Sequence, residues 1–239
     1  MGAEIVAVAD RSSRRILDAE GTATGGLPAH EYHARYGSRV PFVDLAAQRR
    51  TAKQHPAAEM LSLPFPARAR TGFHADKPEG LGDLLALAYG VTRIDWRANG
   101  IGPGRPLPSG GAAYPGELYV AAGFGLCHYV PTAHALERID EADRRREVVD
   151  CLEARPAEPP ALVLVLTSRH EENLGVFGAF GHRLQALDSG VLAGQTLSLL
   201  EAAGAEAFVH SRFDAARLNA ILGLDPNEES VRAVVTASQ

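Results

Sequence analysis

Apolar and polar positions divide the chain into an obscure part and a legible one, with the change near Leu63. In the first part "MGAEIVAVAD" reads as a strand and "RSSRRILDAE" as a short helix. "GTATGGLP" then breaks the pattern with small residues and proline, and "HEYHARYG" reads as another helical turn. Basic clusters follow at Arg49–Arg50 and in "RTAKQH". Residues 1–60 are therefore read as an N-terminal extension or small subdomain, and residues 61–239 as the main domain. From Leu63 onward the punctuation is regular. "LPFP" holds two X-Pro steps, which enforce extended chain. "GLGDLLALAYG" predicts a helix with Leu81, Leu84, Leu85 and Ala88 on one face and Gly90 as a left-handed C-cap. "GELYVAAG" and "GLCHYVP" predict a hairpin turning at Gly123-Phe124-Gly125. "DEADRRREVVDCLEA" reads as an amphipathic helix, and "PPALVLVLTS" as an apolar strand for the middle of a sheet. "LQALDSGVLAGQTLSLLEAAG" predicts a long helix, apolar on more than one face and ended by Gly204, which belongs in a core or an oligomer interface. "DAARLNAILGL" is a further helix and "SVRAVVTA" a closing strand. This order predicts an α+β fold, a central and mostly antiparallel sheet flanked by helices.

Composition narrows the function classes. With 239 residues the chain suits one large domain or one domain with an appendage, and 46% apolar residues suffice for a core. A formal net charge of −5 provides no general field for nucleic acid. The two cysteines, Cys127 and Cys151, make neither a disulfide framework nor a metal cluster, and read as reduced buried thiols. His30, His33 and His55 read as solvated, so no metal centre is expected. No run reaches the roughly 18 apolar residues of a membrane span. The opening "MGAEIVAVADRSSRR" lacks a signal-peptide layout, and a cytoplasmic location is expected. No G-x-G-x-x-G follows a strand, and no phosphate-binding G-x-x-x-x-G-K-[ST] loop occurs.

The most informative stretch is "RPLPSGGAAYPGELYV", Arg105 to Val120, which places bare and bendable backbone just before a strand. Gly110 and Gly111 have no Cβ, so a flat object can lie against their main chain. Pro108 stiffens the approach, Ser109 adds a hydroxyl, and Tyr114 and Pro115 supply apolar walls. Such a turn suits a planar aromatic cofactor whose edge is read by backbone amides; it equally suits a plain loop leading into a strand.

The wording of that stretch, followed by "GLCHYVPTAHALE", resembles the signature of the SagB-type or McbC-like dehydrogenases of the nitroreductase superfamily. Upstream "LGDLLALAYGVTR", downstream "FGHRLQALDSGVLAGQTLSLLEAAG" and the closing "LNAILGLDPNEESVRAVV" resemble further blocks of that family, in the same order. The resemblance runs from about Leu63 to the C-terminus. It implies a nitroreductase-like fold, FMN bound at a homodimer interface, and a long dimer-forming helix over residues 184–203. It also implies oxidation of thiazolines and oxazolines to thiazoles and oxazoles in a peptide natural product, with a cyclodehydratase as a possible further partner and oxygen regenerating the flavin. Carried over by position, Arg105, Pro108, Ser109, Gly110 and Gly111 lie along the flavin, and Gln195 matches a glutamine of the long helix. The phosphate needs cations and N–H donors. Arg68 and Arg70 in "ARARTGF" stand at or beside the family's phosphate arginines, and Arg183 matches a further family arginine that can bear on the phosphate or on the isoalloxazine edge.

The chain departs from the family at the expected proton-abstracting Lys-Tyr pair, where it carries Val176 and Phe177, neither of which takes a proton. His182, in place of a family tyrosine, and Tyr114 are the candidate catalytic groups, with His170, Glu171, Glu172 and Glu117 as weaker ones. Three readings follow: an azoline dehydrogenase with a divergent base, another small-molecule flavin oxidoreductase on the same fold, and a non-catalytic relative that binds a peptide or a sister enzyme.

Overall fold

The computed structural model describes residues 6–10, 13–17, 53, 55–65, 74–97 and 100–238. Seven strands form one sheet: β3 (Glu59–Ser62), β6 (Gly116–Ala122), β7 (Gly125–Val130), β8 (Ala135–Asp140), β9 (Leu162–Arg169), β10 (Glu206–His210) and β11 (Glu229–Ser238), in the order β10-β11-β9-β6-β7-β8-β3. Every neighbouring pair is antiparallel. Two separate hairpins accompany it: β1 (Val6–Asp10) with β2 (Ser13–Leu17), and β4 (Arg93–Arg97) with β5 (Gly100–Gly104). The helices are α1 (Gly82–Tyr89), α2 (Arg145–Val149), α3 (Glu171–Phe177), α4 (Phe180–Ala202) and α5 (Ala215–Leu222).

The two-residue period of the strands builds a core on each side of the sheet. Leu118 and Val120 of β6 with Leu162, Leu164 and Leu166 of β9 meet Leu85 and Tyr89 of α1 and Leu192 and Leu200 of α4. The alternate positions Tyr119, Ala121, Val163 and Val165 meet Val148 and Val149 of α2 and Leu218 and Leu222 of α5. Because β9 is covered on both faces, its first five residues, Leu162–Leu166, are apolar without interruption, as the reading of "PPALVLVLTS" expected. The α+β class, the Gly123–Phe124 hairpin, the long helix and the closing strand all appear where the pattern put them.

Other elements differ, each for a local reason. "RSSRRILDAE" contributes a strand, β2, rather than a helix. Gly90 ends α1 with φ −65° and ψ 167°, an extended rather than a left-handed conformation. The helix expected over "DEADRRREVVDCLEA" is confined to Arg145–Val149. Before it, the Asp140 and Asp143 carboxylates accept the N–H groups of Ala142 and Arg145, which holds that segment as turns. After it, Leu152 forms a bridge with Phe213. The β4–β5 hairpin and the strands β8 and β10 were not legible in the pattern. Residues 171 and 172 begin α3. Residues 59–62 pair with β8 as an edge strand of the main sheet. Among the described residues, no helix is long and apolar enough to cross a membrane.

Candidate functional site

Arg105, Pro108, Ser109, Gly110, Gly111 and Tyr114 fall in one connection between β5 and β6. Its centre is a tight 3-10 turn, in which Ala112 N–H donates to Ser109 O at 3.0 Å and Ala113 N–H to Gly110 O at 3.2 Å. Asp188, in the third turn of α4, anchors it: the Ser109 hydroxyl donates to one carboxylate oxygen at 2.7 Å and Gly110 N–H to the other at 3.0 Å. The same hydroxyl accepts Tyr114 N–H at 2.8 Å. Ser109 is thus donor and acceptor at once, which an alanine cannot replace. These bonds hold three of four successive turn positions in the left-handed region, Gly111 at φ 61°, Ala112 at 53° and Tyr114 at 50°. Two of the three are not glycine, so the backbone here is strained and over-determined.

The bareness of the glycine pair has an occupant. A Cβ on Gly110 would lie 2.9 Å from Leu184 Cδ2, and one on Gly111 2.5 Å from Phe177 Cζ. The space expected to receive a flat ring is filled, on the side toward which a side chain would project, by the protein's own Leu184 and Phe177. The outer rim of the turn is different. Pro108 and Gly111 are exposed, and among the described residues no acceptor for the Gly111 N–H is found. A flavin at that rim would meet a backbone amide with its edge. It does not fit flat on the packed face.

The other expected site residues separate into those near the turn and those committed elsewhere. His182 and Arg183 are half-buried in the first turn of α4, five to six residues before Asp188. Arg105 turns away. Its guanidinium stacks over the Tyr89 ring at 4.1 Å and donates to Tyr89 O at 2.6 Å. Gln195 donates to Leu87 O at 3.2 Å. Both residues satisfy carbonyls at the C-terminal end of α1, which have no partners within the helix. Arg68 and Arg70 lie outside the described residues, as do His30 and His33.

A second polar site, absent from the sequence reading, lies on the opposite face of the sheet from α4. Tyr119, His128 and Glu137 are direct cross-strand neighbours on β6, β7 and β8. His128 is 1% exposed and places Nδ1 at 3.0 Å from Glu137 and Nε2 at 3.0 Å from Glu117. Burial by itself would lower the His128 pKa; the hydrogen bond and charge of Glu117, then the bond to Glu137, outweigh it and the net shift is upward. Lys53 reaches over the sheet to Tyr119 Oη and Glu229, each at 2.5 Å, and Thr167 donates to the same Glu229. Burial, then the neighbouring Glu229 and Glu117 charges, push the Tyr119 phenol far up, so it stays protonated and donates to Glu229. His55 was expected to be solvated. Instead it is half-buried, edge-on to His128 with ring centroids 5.3 Å apart, and burial followed by the His128 and Lys53 charges lowers its pKa. The missed signal was β8: once "ALERID" is a strand, the register aligns Glu137 with His128.

No protein-family model matches the chain. A Methanocaldococcus jannaschii protein named as a nitroreductase is 30% identical over 120 residues, 47% of this chain. Among solved structures, an Anabaena variabilis protein named as a nitroreductase superposes with a TM-score of 0.69 at 22% identity over 85% of this chain. One from Ralstonia eutropha, similarly named, gives 0.61 at 22% identity, covering 79% of this chain and 92% of that one. The Escherichia coli microcin synthetase McbBCD complex with truncated pro-MccB17 bound gives 0.58 at 18% identity, covering 92% of this chain and 85% of that one. The chain spans 57% of the Methanocaldococcus protein and 45% of the Anabaena protein. The fold is nitroreductase-like.

Proposed function

We propose that this chain is an FMN-dependent dehydrogenase that oxidises thiazoline or oxazoline rings of a peptide to thiazoles or oxazoles. The observation that carries the reading is the Pro108–Tyr114 turn. It joins a family-like sequence to a nitroreductase-like fold, and it is clamped to the long helix by Asp188. The likeness in fold to a complex named as a microcin synthetase supports a peptide substrate and partner proteins such as a cyclodehydratase.

In this reading Arg68, Arg70 and Arg183 hold the phosphate, and the Gly111 amide at the exposed rim reads the ring edge, with Pro108 beside it. Ser109 and Gly110 fix the rim through Asp188. Arg105 and Gln195 act one step away, by holding the end of α1 against the turn and the long helix. FMN supplies the acceptor for the hydride that leaves the azoline ring. The ring-carbon proton goes to a protein base, and since Val176 and Phe177 cannot serve, His182 takes it at a ring nitrogen, with Tyr114 as the alternative group. The exposed Leu187 and Val191 on α4 suit burial against a second copy of the chain, which would make the protein a homodimer.

Incubation of the FMN-loaded protein with an azoline-containing peptide tests the reading by mass spectrometry. Loss of two hydrogens per ring, abolished in His182→Ala, is the expected result. A flavin-loaded protein that leaves azolines unchanged but reduces a nitroaromatic with a nicotinamide donor would favour the small-molecule oxidoreductase. One observation favours a non-catalytic relative: Phe177, where the family carries its tyrosine, packs on Gly111. A protein that binds no flavin but captures the peptide would establish that alternative.

A further inference from the structure

The polar ladder opposite α4 contains more than the proposed reaction uses. We propose that His55, His128 and Glu137 bind one divalent transition-metal ion of the zinc type, which clips the segment before β3 onto the face of the sheet. The three residues present ligand atoms that all lie within 4.8 Å of one another. His128 and Glu137 are buried on adjacent strands, in a register that sets them side by side. Neutral imidazole and carboxylate are ordinary zinc ligands, at about 2.0–2.2 Å from the metal. Two such bonds at a tetrahedral angle place ligand atoms roughly 3.3 Å apart. His128 Nδ1 and Glu137 Oε2, at 3.0 Å, are already close to that spacing.

The remaining contacts match what surrounds a metal rather than a simple ion pair. A metal-bound histidine donates its other ring N–H to a carboxylate, which fixes the tautomer and the ring plane. His128 Nε2 stands 3.0 Å from Glu117 Oε2, and Glu117 is itself steadied by Arg169 at 3.8 Å. That leaves Nδ1 for the ion. A proton on His128 shared with the two carboxylates would account for His128, but not for His55. Its Nε2 is buried with no hydrogen-bond partner, a costly arrangement unless something occupies the position. Lys53, two residues earlier, bonds Glu229 and so brings the same segment to the same face. His55 lies on irregular chain outside the sheet and can close the last distance without disturbing a strand. Water completes the coordination.

The site is independent of the flavin reading, and so is its test. Full-length protein stripped with a chelator is titrated with Zn2+ by calorimetry, and with Co2+ by visible absorbance. The expected result is one ion per chain and the visible bands of tetrahedral cobalt. His55→Ala, checked for folding by circular dichroism, should lose the bands and weaken zinc binding more than hundredfold. Glu117→Gln, which acts through His128, should weaken it roughly 10- to 100-fold. His74→Ala, at an exposed histidine elsewhere, should match the wild type. Zn2+ should also raise the melting temperature of the wild type but not of His55→Ala. Wild-type protein that takes up no ion, or His55→Ala that binds zinc or colours with cobalt as the wild type does, would overturn the proposal.

Discussion

The pairing of Gly111 with Phe177 yields the sharpest energetic prediction. Gly111 sits at φ 61°, and an added Cβ would stand 2.5 Å from Phe177 Cζ. Alanine in the left-handed region costs about 1–2 kcal/mol, of which the stiffer unfolded chain returns roughly 0.4–1 kcal/mol. The overlap must open by about 1 Å, and overpacking of this kind costs about 1–3 kcal/mol. Gly111→Ala should therefore destabilise by about 2–4 kcal/mol. Phe177→Ala alone should cost about half of the roughly 3–5 kcal/mol of a fully buried phenylalanine, because the ring is half-buried. In the double variant the overlap is gone and only the backbone cost of Gly111→Ala remains. The cycle should thus show a favourable coupling of about 1–3 kcal/mol. Urea unfolding of the four proteins at matched slope supplies the numbers. A Gly111→Ala variant within about 0.5 kcal/mol of wild type, or strictly additive single effects, would refute the packing argument.

Three further outcomes follow from the same contacts. Asp188→Ala removes the acceptor of both Ser109 Oγ and Gly110 N–H; at about 1.5 kcal/mol for each charge-assisted bond in this half-exposed position, it should destabilise by roughly 2–3 kcal/mol and lower flavin content, both read on one purified sample. Arg105→Lys loses the stacking over Tyr89, and should lower stability by about 1 kcal/mol in a urea melt while leaving peptide binding intact. Burial pushes the Cys127 thiol up to about 11, above the unfolded value of 9.0, so stability from this group is complete below pH 9.0 and is lost as pH rises through the folded value. Both thiols should accordingly resist a disulfide reagent at neutral pH in the native protein and react fully after unfolding.

The elements that could be read in advance were those whose own side chains decide them. β9 is apolar from Leu162 to Leu166 because both faces are covered, and α4 runs unbroken to Ala202, just before Gly204 at φ 83°. β8 was hidden because its second half is charged: Glu137 answers to His128 on β7 and Arg138 to Glu59 on β3, partners that lie on neighbouring strands rather than within its own segment. α2 is short because nearby aspartates take the N–H groups that a longer helix would have used. At the candidate site the turn itself was legible, since proline, serine and paired glycines restrict the backbone strongly. Its packing was not. Nothing local to the sequence says that Phe177 and Leu184 would fill the glycine face, or that Asp188, nearly eighty residues downstream, would hold Ser109 and Gly110. Arg105 and Gln195 show the same limit: their types suit a cofactor, and their contacts serve α1.

The central claim is that the rim of the Pro108–Tyr114 turn receives FMN. Stripped protein titrated with FMN, followed by absorbance and by flavin fluorescence, addresses it directly. One flavin per chain, with binding weakened in Asp188→Ala, is the predicted result. A protein that remains colourless at saturating FMN while fully folded would contradict the account.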